Sequence, residues 1–266
     1  MTAETAATAA DRLRQLSVTA AEIFCVVGTL VGVGVLGTRV EESSGGALAA
    51  DATRLAPAGP AFSIWSVIYL GLAAYTVWQW IPAQAASPRL RATGWLAAAS
   101  MILNAAWLLV TQQGWIWASV AVIALLVVCL GVLAQRLADH PASSTAERVV
   151  VDTTFGLYLG WVTVATCANV TAALVESGVD PRPAVADTAA VLVLALATVI
   201  LAAVARRLRG DWAVAAAAAW GLSWIAVGRL TGEPASLATG VAAILAAGMV
   251  LLANGYLARS AGQPAT

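Results

Sequence analysis

The chain has 266 residues, 61% of them hydrophobic and 11% charged, and its 14 basic and 14 acidic side chains cancel. A mean hydropathy of +0.84 lies far outside the soluble range and excludes a water-soluble domain. Zero net charge without a long basic tract excludes nucleic acid as a partner.

Runs of about 20 apolar residues read as membrane-spanning helices, because lipid leaves every backbone polar group to be satisfied within the segment. Eight follow one another, at about residues 19–38, 60–81, 92–110, 115–135, 151–175, 184–204, 212–228 and 236–257. The expected fold is all-α and polytopic, with the lipid bilayer as its first partner.

Residues 1–18 read as a polar N-terminal tail. The first run follows Arg12 and Arg14, as the core of a secretion signal does. It is longer than such a core, and "GTRVEESS" is a poor cleavage site, so it reads as a retained helix. Within it Gly28 and Gly32 form a GxxxG, a packing or homodimer signal. Residues 39–58 make the longest connection; Gly45-Gly46, Pro57 and Pro60 mark it as irregular.

The second run, "PAFSIWSVIYLGLAAYTVWQW" at 60–80, crowds aromatic rings where the other spans use Ala, Val, Leu and Gly. At roughly 100 degrees per residue, Phe62, Trp65 and Tyr69 share one face. Two readings stand for them, ordinary packing or the wall of a cavity. Trp78 and Trp80 read as membrane-boundary residues. In the third run Ser100, Asn104, Trp107 and Thr111 share a face. In the fifth, Tyr158, Trp161, Ala165 and Asn169 form a stripe of two rings, a small residue and an amide, which could floor a flat cavity. Asn104, Asn169 and Asn254 are the chain's only Asn, and a structural hydrogen bond is the default for Asn254.

Pro181 and Pro183 divide the chain into a five-helix unit at 19–176 and a further three-helix unit at 184–257, with residues 258–266 as a tail. Glu22, Asp152 and Asp187 fall at helix starts, and the expected spans carry no charge near their centres, which argues against an ion-coupled machine. Cys25, Cys129 and Cys167 lie inside spans without metal or disulfide spacing, and His140, the only His, lies in a loop. No nucleophile triad, carboxylate pair, metal cluster or phosphate loop is present, so no catalytic or metal-binding residue is assigned. All basic residues are Arg. Arg12, Arg14, Arg89, Arg91, Arg136, Arg148, Arg206, Arg207, Arg209 and Arg259 fall on one side, against Arg39, Arg54, Arg182 and Arg229 on the other. Both termini are therefore expected in the cytoplasm.

The segments "FSIWSVIYLGLAAYTVW", "LNAAWLLVTQQGW" and "LYLGWVTVATCANV" resemble, in order and spacing, signatures of the translocator-protein family. That family comprises TspO, the bacterial tryptophan-rich sensory proteins and the peripheral-type benzodiazepine receptor. The likeness covers about residues 19–175, as in longer bacterial relatives with additional C-terminal helices. The resemblance implies a five-helix bundle in a bacterial cytoplasmic membrane, with a pocket under the first loop. It implies a sensory or regulatory role, with a flat apolar ligand bound reversibly and no covalent cofactor. Protoporphyrin IX or haem is the expected ligand. The implied ligand-binding positions are Ala61, Phe62, Ile64, Trp65, Asn104, Trp107, Trp115, Trp161, Ala165, Ala168 and Asn169; Tyr69 and Tyr158 join them from the stripes above. Any enzymatic activity would be light-dependent tetrapyrrole breakdown. A transporter or flippase for an apolar metabolite is the alternative. The Trp-x-Pro-Pro element that precedes the second helix in that family is absent here; "RLAPAGPA" keeps Pro57 and Pro60 without the Trp.

Overall fold

A computed structural model describes residues 7–261. Among them, eight helices are long and apolar enough to span a membrane, and no strand occurs. They are α1 (Ala9–Gly32), α2 (Ile64–Trp78), α3 (Pro88–Gln112), α4 (Ile116–Asp139), α5 (Thr154–Glu176), α6 (Pro183–Arg207), α7 (Trp212–Thr231) and α8 (Leu237–Ala261). A 3-10 turn over Gly59–Ser63 leads into α2. A π-type turn over Arg148–Thr153 leads into α5, lengthening that span to Thr145–Glu176.

The first span differs from the sequence reading at both ends. It starts at Ala9 instead of about residue 19, so residues 9–18 are helix and not tail. Thr8 and Asp11 form a capping box that satisfies the first amides, and partners distant in sequence make the early start possible. The polar residues of this first turn are then absorbed by neighbours. The Arg91 guanidinium donates to both Asp11 oxygens at 2.7 and 2.6 Å, and buried Arg14 donates to the Ala85 carbonyl at 2.9 Å. The helix stops at Gly32 because Gly34 takes φ +82, the left-handed conformation glycine accepts most readily, and the amides of Gly34 and Val35 fold back onto the carbonyls of Val31 and Leu30. The earlier start moves Glu22 from an expected helix end to the middle of α1, where it is buried and its Oε2 has no partner.

The first five helices form a ring. α1 packs along α3, α3 along α4 and α4 along α5, while α2 closes the ring between α1 and α5. Gly28 and Gly32 serve this packing inside the chain: a Cβ on Gly28 would stand 2.9 Å from Ala105 Cβ, and one on Gly32 would meet Leu108. The GxxxG face is thus covered by α3 and is not open to a second copy. The last three helices join through a seam of small residues on α5 and α7. A Cβ on Gly156 would stand 2.7 Å from Ala213 Cβ, and one on Gly221 would stand 3.0 Å from Val164, the close backbone approach that small residues permit in lipid. α8 packs against α7, and α6 packs chiefly on α8. Asp211 caps α7 by accepting from the amides of Ala213 and Val214; burial pushes its carboxyl above the usual range, opposed by those amides. Asn254 donates to the Gly210 carbonyl at 3.3 Å, the structural bond expected of it. The expected C-terminal tail at 258–266 is helix through Ala261, and the rest lies outside the described residues.

Candidate functional site

The α1–α2 and α3–α4 connections, with the ends of α1, α3 and α5, define one end of the bundle. Here a recess of about 420 Å³ opens between α1, α2 and α3, within the ~300–1,000 Å³ range of small-molecule sites. Its walls include Thr29 and Gly32 from α1, Trp65, Ser66 and Tyr69 from α2, and Trp107 and Leu108 from α3, with Arg39, Val40 and Glu41 from the following loop at the rim. Phe62 and Trp107 also border two smaller cavities deeper in the bundle, of about 40 and 30 Å³. Trp161 and Ala165 line both small cavities; Ala168 and Asn169 line the one beneath the loop. Two ring side chains, Phe62 and Trp107, therefore stand between the recess and both small cavities.

Helical spacing sets the ring geometry. Trp65 and Tyr69, one turn apart, stack with centroids 5.1 Å apart and planes 16° from parallel. Trp65 then meets Tyr158 and Trp161 edge-on at 5.8 and 6.2 Å, and Phe62 meets Trp161 edge-on at 5.7 Å. Edge-to-face contacts add about 0.5–1.5 kcal/mol per pair beyond buried area, so five rings from α2, the 3-10 turn before it and α5 hold one another in place. Amides lock them from behind. The Trp107 Nε1–H donates to Asn169 Oδ1 at 2.7 Å, and Asn169 donates to Ser119 Oγ at 2.9 Å. Asn104 donates to Tyr69 Oη at 3.1 Å and to Cys25 Sγ at 3.4 Å, and the Tyr158 hydroxyl donates to the Ser100 carbonyl at 3.2 Å. One donor is left over: Trp161 Nε1 is buried without a partner, a state that costs about 1–3 kcal/mol unless an acceptor arrives.

Most of the residues singled out in the sequence converge here, in three layers. Phe62, Trp65, Tyr69, Trp107, Trp161, Ala165, Ala168 and Asn169 line the recess or the cavities, as does Asn104. Tyr158 stands behind Trp65. Ala61 and Ile64 are buried in the core on other sides of the α2 entrance, and the Ala61 carbonyl accepts from Trp220 of α7 at 2.9 Å. Trp115 stays apart: Gly114, at φ +72, turns the chain between α3 and α4, and Trp115 becomes the residue before α4, 63% exposed. The boundary pair at the other end of α2 splits. Trp80 faces outward with its indole N–H on Thr19, whereas Trp78 packs partly against the core. The sequence reading missed the recess walls from α1 and the loop, and Leu108 of α3, since Thr29, Val40 and Leu108 look like any span or loop residue. It also placed Arg229 in an outer loop; the residue lies in α7 and is 1% exposed.

The fold and this recess together define an integral membrane protein with an aromatic-walled cavity inside an α-helical bundle. The sequence model for TSPO-like proteins matches residues 16–255. The chain belongs to that family, and the match runs through all eight spans. It matches no curated protein and no solved structure.

Proposed function

We propose that the protein binds a flat apolar ligand, a tetrapyrrole such as protoporphyrin IX, between the stacked Trp65–Tyr69 face and Trp107, in a sensory or regulatory role. The observation that carries this reading is the aromatic recess, whose rings are pre-organised and therefore lose little freedom when a flat molecule stacks on them. Rotation of Phe62 or Trp107 would join the recess to the inner cavities, where Trp161 Nε1 offers an unused donor. Arg39 at the rim suits a ligand carboxylate. Among the described residues no His, Cys or Met lines the recess, and the Tyr69 hydroxyl is engaged by Asn104. The residues therefore fit the metal-free porphyrin better than haem, which needs an axial ligand. Titration of the purified protein with protoporphyrin IX, followed by Trp fluorescence quenching, tests the reading: saturable quenching is expected, and a non-saturating response overturns it.

Transport is the second reading, and buried Glu22 in the middle of α1 favours it, because an ionisable side chain inside a span commonly marks a translocation path. Porphyrin flux in sealed vesicles, lost in Glu22→Gln while binding persists, would select transport over sensing.

A further inference from the structure

The first loop covers the inner cavity: Val40, Leu48, Thr53 and Pro57 all face it. In this chain the cover is tied to the last three helices. Arg229, near the end of α7, sends its guanidinium into the loop and donates to the Thr53 and Ala50 carbonyls, both at 2.8 Å. It also donates to the Glu233 and Pro234 carbonyls, at 3.0 and 3.3 Å, at the start of the α7–α8 connection. None of the observed salt bridges includes Arg229; backbone oxygens from two separate segments accept from its two terminal nitrogens, and its Nε is buried without a partner. Three further ties lie alongside. The Ala58 amide donates to the Trp224 carbonyl at 3.1 Å, Trp220 holds Ala61, and Arg54 pairs with Asp187, which also accepts from Ser236 at 2.8 Å.

We propose that Arg229 is a positioning residue, through which α6–α8 clamp the loop as a fixed roof, so that ligand reaches the recess through its open side between α1 and α2. Lifting the loop would strip this buried guanidinium of the Thr53 and Ala50 carbonyls and leave its charge without those acceptors. Among the described residues the other side of the recess has no arginine clamp, and Asn104 of α3 bridges Cys25 of α1 and Tyr69 of α2 there. α1 and α2 are joined near the opposite end of the bundle, by Gln15–Gln79 and Thr19–Trp80, and the recess lies between their other ends, where Val33 and Ser66 are exposed. Lateral access suits a ligand dissolved in the bilayer. The clamp also accounts for a loop that holds its place without the family's Trp-x-Pro-Pro element.

The proposal rests on the porphyrin-binding reading for its ligand measurements, and the roof itself is read without ligand. A Cβ built on Gly228 stands 3.7 Å from Ala58 Cβ, which matches the ~3.8 Å of a disulfide. Ala58→Cys with Gly228→Cys, in a background where Cys25, Cys129 and Cys167 are Ala, can therefore lock the loop to α7. Oxidised and reduced forms should bind and release protoporphyrin IX at rates within about twofold. At least a tenfold slower association on oxidation would show that the roof must lift, and overturn the proposal. Ser66→Trp should slow association at least tenfold; an unchanged rate would remove the lateral route. Arg229→Met should speed both ligand release and tryptic cleavage after Arg39 at least tenfold, and the oxidised Ala58–Gly228 pair added to Arg229→Met should restore both. Cleavage unchanged by Arg229→Met would overturn the clamp whatever the ligand does. Failure of the reduced protein to bind porphyrin would overturn the binding reading alone, with cleavage still deciding the clamp. Should Arg229→Met not fold, the oxidised and reduced pair decides the question.

Discussion

Trp161 combines tight packing with an unused donor, and the proposed binding role can be tested on it. Its ring touches Phe62 and Trp65 edge-on, which fixes its plane, while its N–H stays unpaired beside two small cavities. Removing the ring in Trp161→Ala is expected to weaken protoporphyrin binding by about 1–3 kcal/mol. Ala165→Leu fills the same cavities one turn away and should weaken it comparably. Trp95→Ala is the control, since that ring is 50% exposed on the outside of α3; Trp78 is unsuitable because it packs partly against the core. Equal affinity losses in all three variants, read by fluorescence quenching, would mean the helix-five stripe is ordinary packing. Arg39 makes a separate prediction. If it pairs with a ligand carboxylate, Arg39→Gln lowers affinity for protoporphyrin IX several-fold but leaves that for its dimethyl ester unchanged.

At the scale of elements, the α5–α7 seam joins the five-helix ring to the C-terminal helices. Gly160 sits so close to the Val214 carbonyl that a side chain there has no room. Gly160→Leu should force the two helices apart, at about 1–3 kcal/mol or more, seen as a lower melting temperature in detergent. Asp211 sets where α7 begins, and Asp211→Ala should cost about 1 kcal/mol by freeing the Ala213 and Val214 amides. A Gly160→Leu protein as stable as the parent would mean that the close approach is not maintained in the membrane.

For the whole molecule, the orientation expected from the Arg distribution has the first loop outside and the α4–α5 connection in the cytoplasm. Glu42 is exposed on the first of these, and Asp139 is exposed at the end of α4 where the second begins. In a Cys-free background, Glu42→Cys should react with an impermeant thiol reagent added to intact cells and Asp139→Cys should not; the opposite pattern would invert the molecule. A chain ending at residue 178 keeps every ring around the recess and loses the roof's anchors on α6–α8. It is expected to insert and bind protoporphyrin IX with faster release. Loss of all binding in a truncated protein that still inserts would make the last three helices part of the cavity wall.

How much of this was legible in sequence follows from the range of the forces involved. Hydrophobic length alone located eight spans, because satisfying the backbone in lipid is a local requirement. Helical period brought Phe62, Trp65 and Tyr69, and Trp161 with Ala165, onto shared faces, because the 3.6-residue turn is local too. Other features were decided between distant segments. The start of α1 at Ala9 depended on Arg91 and the Ala85 carbonyl being there to receive Asp11 and Arg14. A hydropathy window sees only the charges and not their partners, and so it put Glu22 at a helix end. Trp115 looked like a pocket residue until the Gly114 turn aimed it outward. Arg229 reads as one more boundary arginine in a linear count. Only the tertiary structure brings carbonyls from residues 50 and 53 to its guanidinium, because a backbone oxygen carries no sequence signature and a bond across about 180 residues depends on the fold as a whole.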